Sequence, residues 1–385
     1  EQGTCPLDAE LQLPSSCYSD LLREWATHGA VESSYQASSH SLERILGIRL
    51  SCQALERIMT EDSTDVEAYY EDAPSTTNEE ASLLVVQADG KGMPMVSAQQ
   101  EQTVRLSKGQ KRSAKKEAIV TAVYSIAPYP RSPEEVVAAL LHDNEKNQAN
   151  SQRPRPVAKE LRGSLSGKKK AIETLAQRTA LRDTGHIQAR VALCDGAEAL
   201  QRQLLAHFPD YTLILDIIHA SEYLWKSANA LLGETHPNRT NWVREHLTAL
   251  LAGKTTHVIA SLEKQLQRPD LSHAQSKIVK TTIAYYQRNS PYMRYDHYLE
   301  QGFPLGTGVV EAACGHLVKD RLDGSGMRWK VPGAQAVMDL RAVRLSEHWD
   351  AYWLFHRQQA SERLYGNTSL PISEPLDTQF FPLAA

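Results

Sequence analysis

Four short apolar runs constrain this chain more than any other feature. SLLVVQADG (82–90), the β-branched KKEAIVTAVYSIAP (115–128), ARVALCDG (189–196) and TLILDIIHA (212–220) read as strands. GMPMVSA (92–98) reads as a further strand, which predicts a hairpin with Asp89 at its turn end. Helical patterns separate the later runs. SPEEVVAALLH (132–142) opens with a Ser cap, a Pro at the first helical position and Glu in the first turn. AIETLAQRTALRDTG and AEALQRQLLAHF carry apolar stripes of their own. Residues 143–170 are polar, basic and broken by Pro and Gly, and are expected to form a long loop with one short helix. Three strands, then helix, strand, helix and strand, make a mixed α/β sheet with an antiparallel start.

The flanks are helical. Residues 17–60 carry apolar residues at helical spacing, and SLERILGIRLSCQALERIM has the outline of a helix-turn-helix with Gly47 in the turn and Ser51 as a cap. Any helical hairpin shares that outline, and its second helix holds few basic residues. The acidic, polar stretch 61–80 reads as a linker. From Ser221 to about Tyr298 no strand signal interrupts the 3.6-residue period. The expected organisation is a helical N-terminal region (1–80), a core formed by 81–220 and 300–350, an all-helical insertion (221–299) and a C-terminal tail (351–385). The insertion ends in a crowd of tyrosines at 285, 286, 292, 295 and 298, which reads as core packing.

Charge and cysteine content narrow the class. The longest apolar runs fall far short of a membrane span, and no basic segment followed by an apolar one opens the sequence, so a cytoplasmic protein without a membrane partner is expected. The five cysteines include no C-x-x-C pair, which argues for reduced thiols and against a closed zinc site. The net charge of −4 conceals an asymmetry. Residues 1–100 hold 5 Lys+Arg against 17 Asp+Glu, whereas residues 101–190 hold 18 against 9. A basic segment on an otherwise acidic chain suggests a polyanion-facing region; a solvated basic linker is the alternative.

Three carboxylates stand out by position. Asp89 ends the first strand, Asp195 ends the strand before Gly196, and Glu311 lies near the start of the helix in LGTGVVEAACGHLVKDRL (305–322). Ends of strands in an open α/β sheet converge at one edge. An unpaired carboxylate buried there costs several kcal/mol. Divalent ions resolve that cost: Mg²⁺ takes a few carboxylate oxygens plus water and phosphate. Two such ions about 4 Å apart serve phosphodiester chemistry. Taken singly, each Asp-Gly is also a turn signal.

VVQADGKGMPMV, VALCDGAEAL, DIIHASEYLW and GVVEAACGHLVKDRLDGSGMRW, followed by GAQAVMDLRA, resemble bacterial insertion-sequence transposases of the Kra type, which are DDE transposases with a ribonuclease H-like core. The similarity runs from about residue 15 to residue 355. It implies that Asp89, Asp195 and Glu311 are the catalytic acids and hold two Mg²⁺, with Mn²⁺ as a substitute. Residues 89 and 195 lie 106 apart, and 195 and 311 lie 116 apart, the second gap holding the helical insertion. Relatives often carry cysteine pairs of zinc-ribbon type ahead of the N-terminal helices; this chain has Cys5 and Cys17 there. The implied activity is metal-dependent cleavage at transposon ends followed by transfer of the 3′-hydroxyl into target DNA. The partners implied are double-stranded DNA and a homodimer or larger assembly on it, in the bacterial cytoplasm at the nucleoid. The rivals are a nuclease of the same core without strand transfer and a domesticated, non-catalytic DNA-binding protein.

Further residues attach to that reading. Asp216 and His219 resemble an Asp/Cys-x-x-His signature of insertion-bearing transposases, with His219 as donor or proton carrier near the scissile phosphate and Asp216 in support. On a strand, positions three apart face roughly opposite ways, so a turn must bring them together. Arg328 is expected to fork onto phosphate and Trp329 to stack on an unpaired base. Lys319 is expected on the face of Glu311. Lys108, Lys111, Arg112, Lys115, Lys116 and the run Lys168, Lys169, Lys170 are expected to neutralise the DNA backbone.

Overall fold

The structure is a computed structural model and describes residues 8, 13–72, 80–96, 115–142, 153–183, 185–324 and 326–366. The chain divides into two compact units: Pro74–Pro94 with Lys108–Asp323, and Glu1–Ala73 with Met95–Ser107 and Gly324–Ala385.

The first of these is built on a five-stranded mixed sheet. Its strands are β1 (Leu83–Pro94), β2 (Lys115–Ile126), β3 (Val157–Ser164), β4 (Ala189–Cys194) and β5 (Thr212–Leu215), in the order β3-β2-β1-β4-β5. β2 runs antiparallel to both β1 and β3, while β1, β4 and β5 are parallel. The unit is thus mixed α/β, and its sheet is consistent with a ribonuclease H-like core. The pleat sorts side chains onto two faces. Leu83, Val85, Val191 and Leu193 join one cluster, which includes Leu224, Leu247 and Tyr286 of the helical insertion. Leu84, Val86, Ala192 and Cys194 join the other, with Ile172, Leu175, Leu200 and Leu204. Strands buried on both faces are apolar throughout, which is why LLVV and VALC read as runs rather than alternations.

Helices follow from recognisable caps. α5 (Pro133–Leu140) starts in a capping box in which Ser132 accepts from the Glu135 amide and Glu135 accepts from the Ser132 amide. α6 (Lys168–Arg182) and α7 (Glu198–His207) lie in the βα connections around β4. After β5 the chain is helical: α8 (Ile217–Leu232), α9 (Arg239–Leu251), α10 (Thr255–Gln265), α11 (His273–Asn289) and α12 (Tyr295–Glu300). α13 (Gly308–Ala313) continues through a π-helical turn, Cys314–Lys319, into α14 (Asp320–Leu322).

Four local expectations are corrected. The described part of the hairpin expected over 82–98 is a single strand: β1 runs from Leu83 to Pro94, and Asp89 pairs with Val120 inside it. Gly90 and Gly92 stay extended there, opposite Ile119 and Glu117, rather than turning the chain. The expected loop 143–170 contains β3 and the start of α6. Glu160 is buried in β3 but bonded to Arg178 of α6, so an ion pair stands where an apolar residue would have signalled a strand. The run 212–220 is strand only to Leu215; Asp216 then caps α8, its Oδ1 accepting from the Ile218 amide at 2.7 Å. The stretch expected as a linker carries a short helix, Val66–Asp72.

The second unit is helical: α1 (Asp20–Glu32), α2 (Tyr35–Leu46), α3 (Cys52–Asp62), α4 (Val66–Asp72), α15 (Val331–Leu345) and α16 (Trp349–Tyr365), the element numbers following α14 in chain order for the last two. α2 ends at Gly47, whose φ of 70° is the left-handed C-cap conformation, and Ser51 caps α3, so the sequence outline of a helix-turn-helix is present in shape. Arg57, the basic residue of α3, lies 3.7 Å from Glu61 on the same helix. Beneath these helices a buried polar network gathers around two acids. Asp62 accepts from Arg23 and from Thr27 at 2.6 Å, and Asp65 accepts from His356 at 2.6 Å and from Arg363.

Candidate active site

Strand register places Asp89 within β1 and Asp195 just past the end of β4. The parallel pairing of β1 with β4 ends at Gln87 opposite Leu193, and each acid lies two residues further on. Two residues along a strand return the side chain to the same face, so Asp89 shares the face of Gln87, while Asp195 follows the last residue of β4. Both are half-buried. Asp89 Oδ1 accepts from the Gly90 amide at 2.6 Å, and its Oδ2 lies 3.4 Å from the Cys314 thiol. Burial, with the Asp89 charge beside it, pushes the Cys314 thiol up, so it stays protonated and donates. Asp195 Oδ1 accepts from the Ala197 amide at 2.8 Å, which holds the loop after β4.

The helix that carries Glu311 is anchored to β1 by Gln87. The fully buried Gln87 donates to the Gly306 carbonyl at 3.2 Å and to the Tyr124 hydroxyl at 2.9 Å, and accepts from the Val310 amide at 3.0 Å. Val310 is at the third position of α13, where the amide has no partner within its own helix. A side chain on β1, two residues before Asp89, thereby caps the helix of Glu311.

Among the described residues, one grouping of possible ligands closes to metal-site dimensions: Asp216, His219 and Glu311 offer atoms that all lie within 4.8 Å of one another. The turn that unites Asp216 with His219 is the first turn of α8. Asp216 Oδ2 accepts from His219 Nδ1 at 2.9 Å, and Glu311 Oε1 lies 3.8 Å from the same nitrogen. Thr307 joins the two acids, its hydroxyl meeting Asp216 Oδ2 and, at 2.6 Å, Glu311 Oε1. The hydrogen bond to Asp216 raises the His219 pKa to about 9, with the charges of Asp216, Asp195 and Glu311 adding to it, so the ring is an imidazolium at neutral pH. Burial, joined by the Asp216 charge, moves the Glu311 carboxyl upward. Asp216 is lowered: burial opposes its ionisation, but hydrogen bonds from His219 and Thr307 outweigh it.

The cluster thus joins Glu311 to Asp216 and His219, while Asp89 in β1 and Asp195 just after β4 do not close into the same ligand group. Gln87, Thr307 and Cys314 escaped the sequence reading. Thr307 had a signal, standing one helical turn before Glu311 in LGTGVVEAA.

The basic residues separate. Lys108, Lys111 and Arg112 lie outside the described residues. Lys115 and Lys116 are exposed at the start of β2, with Lys115 Nζ 3.6 Å from Asp323. Lys168 pairs with Glu117, and Lys169 and Lys170 are exposed in the first turn of α6. Lys319 is exposed at the end of the π-helical turn, whose wider winding shifts it off the regular α-helical phase of Glu311. Arg328 is exposed and donates to the Met327 carbonyl at 2.8 Å. Trp329 is 8% exposed and packs edge-on against Tyr35, an interior ring rather than a solvent-facing platform.

No protein-family profile matches the chain, and no curated protein matches it. Among solved structures it is similar to the Drosophila P element transposase strand transfer complex, at 9% identity over 92% of this chain and 82% of that one, with a TM-score of 0.29. At that score the overlay assigns no residue to a counterpart.

Proposed function

We propose that the chain is a DNA transposase of the bacterial insertion-sequence Kra type, a metal-dependent polynucleotidyl transferase. The observation that supports this reading is the register of β1 and β4, whose parallel pairing ends two residues before Asp89 and Asp195, together with the bond by which Gln87 fastens the helix of Glu311 to β1. Carboxylates gathered with one imidazolium bonded among them are an excess of negative charge, and their hard oxygen donors suit Mg²⁺ or Mn²⁺. Asp89, Asp195 and Glu311 would hold two such ions, which when bound supply Lewis-acid activation of the attacking oxygen and charge stabilisation at the leaving one.

The chain's own groups have separate tasks. Asp216 fixes the His219 ring through Nδ1, leaving Nε2 to donate toward a phosphate oxygen or to hand a proton to the departing 3′-oxygen. Thr307 sets the rotamer of Glu311. Cleavage is hydrolysis: water attacks phosphorus at the element end and the 3′-oxygen leaves with a proton. Joining is transesterification: that hydroxyl attacks a target phosphodiester and displaces its 3′-oxygen. No protein nucleophile takes part. The exposed lysines at 115, 116, 169 and 170 serve the DNA backbone, and synapsis of two ends calls for a dimer or larger assembly on DNA in the cytoplasm.

The test incubates the chain and Mg²⁺ with duplexes carrying the ends of the element that encodes it, and resolves cut and joined strands on denaturing gels. The wild type is expected to give both products. Asp89→Asn, Asp195→Asn and Glu311→Gln should bind DNA and give neither. A wild type that shifts the duplex without cutting it, or a variant that cuts at the wild-type rate, overturns the assignment; cutting without joining leaves a nuclease.

A further inference from the structure

The tyrosines that close the helical insertion touch the backbone of the candidate site at three points. Tyr285 of α11 donates its hydroxyl to the carbonyl of Asp195 at 2.9 Å. Tyr295 of α12 donates to the carbonyl of Leu215, the residue before Asp216, at 3.0 Å. Tyr286 of α11 donates to the carbonyl of Ala220, the residue after His219, at 2.7 Å. A fourth contact comes from Arg288, which donates to the carbonyl of Gly196 at 2.8 Å. The three rings are buried. Residues from one end of the insertion therefore grip the two segments that carry Asp195, Asp216 and His219.

Gly196 shows how closely this grip is fitted. Its φ is +87°, and a Cβ added there would lie 2.8 Å from the Tyr285 hydroxyl and 2.8 Å from Leu215 Cδ1. The turn after β4 admits Tyr285 because this position has no side chain.

We infer that Tyr285, Tyr286 and Tyr295 are positioning residues of the site, and that the insertion is its rear wall. The inference rests on the transferase reading for its consequence in turnover, but not for the grip itself. Ring burial alone would be served by phenylalanine. The hydroxyls add directional bonds to the carbonyl of Asp195 and to those of the residues flanking Asp216 and His219, groups that must be held to a fraction of an ångström. Removing outer contacts of this kind typically lowers activity roughly ten- to hundredfold.

The test replaces each tyrosine by Phe, which keeps the ring packing, including the 3.8 Å stack of Tyr223 on Tyr285. Tyr352→Phe is the control, since Tyr352 donates to the Asp62 carbonyl from the interior of the other unit. Two measurements are made: the kinetics of DNA cleavage (kcat and KM), and amide hydrogen exchange of residues 195–197 and 216–220 in the free protein. Tyr285→Phe is expected to lower kcat about tenfold or more with KM little changed, and to speed exchange at 195–197. Tyr295→Phe and Tyr286→Phe should act likewise at 216–220. Tyr352→Phe should leave both measurements as in the wild type. Wild-type turnover together with wild-type exchange in the three variants overturns the inference, as does an equal loss in Tyr352→Phe. If the wild type itself cuts no DNA, the transferase reading fails, and exchange alone decides the grip: faster exchange upholds it and unchanged exchange refutes it.

Discussion

Gln87→Met is the substitution that bears most directly on how the site is assembled. The two side chains are close in length and volume, so the change leaves no cavity; it removes hydrogen-bonding groups only. Three partners lose their bond: the buried Val310 amide and Tyr124 hydroxyl and the half-buried Gly306 carbonyl. A buried polar group left without its partner costs about 1–3 kcal/mol. Three such groups at the lower end of that range, partly offset by burying a thioether, give about 2–3 kcal/mol. Native-state hydrogen exchange of the central-strand amides Val85 and Val86 reports this unit directly, and about 3 kcal/mol corresponds to roughly a hundredfold faster exchange. Cleavage should fall further than stability does at a temperature where the variant is folded, because the bond to Val310 fixes the start of the Glu311 helix against the strand of Asp89. A variant less than about 0.5 kcal/mol weaker than wild type, with full cleavage, would show that α13 is held in place by packing alone and that the capping argument is mistaken.

Two further expectations concern stability. Arg178→Met leaves Glu160 buried without its bidentate partner and should destabilise the sheet unit by about 3–5 kcal/mol, most of which the second change Glu160→Met should restore; an unaltered denaturation midpoint in the single variant would contradict this. The helical unit should be most stable at mildly acid pH. Burial lowers the His356 pKa, but hydrogen bonds to Asp62 and Asp65 outweigh it and leave it raised, so its contribution is full below the unfolded value of 6.5 and is lost as pH climbs through the folded one. Burial would raise Asp65, yet hydrogen bonds from His356 and Arg363 hold it at about 2, so its contribution is full above the unfolded value of 3.8 and is lost as pH falls toward 2. The Tm of this unit should therefore peak between those unfolded values and decline on the alkaline side, a decline that His356→Ala should remove; a Tm flat from pH 5 to 9 in the wild type would refute the linkage.

What the sequence disclosed and what it hid divide along physical lines. Apolar runs and caps revealed the central strands and α5, because burial on two faces and the Ser132–Glu135 pair leave direct marks in composition. β3 was hidden, because its buried face carries Glu160, whose partner Arg178 is contributed by a helix. Asp-Gly at 89–90 suggested a turn, since the dipeptide records what the backbone permits and not what β2 imposes on it. Asp216 looked like the end of a strand and is the cap of a helix, and that cap is what turns His219 back toward it. The acidic residues themselves were legible as misfits among apolar neighbours. Gln87 and the insertion's tyrosines were not: each resembles ordinary core until the groups it bonds are known.

The parallel pairing of β1 with β4 also dictates an order of events during synthesis. β1 leaves the ribosome long before β4, its neighbour in the sheet, and Glu311 follows only after the whole helical insertion. A nascent chain halted between β5 and α13 therefore carries all five strands and still lacks Glu311, which under the proposed function leaves it without one of its three acids. Such late, long-range closure predicts slow maturation and a vulnerable interval in which chaperones have most to do.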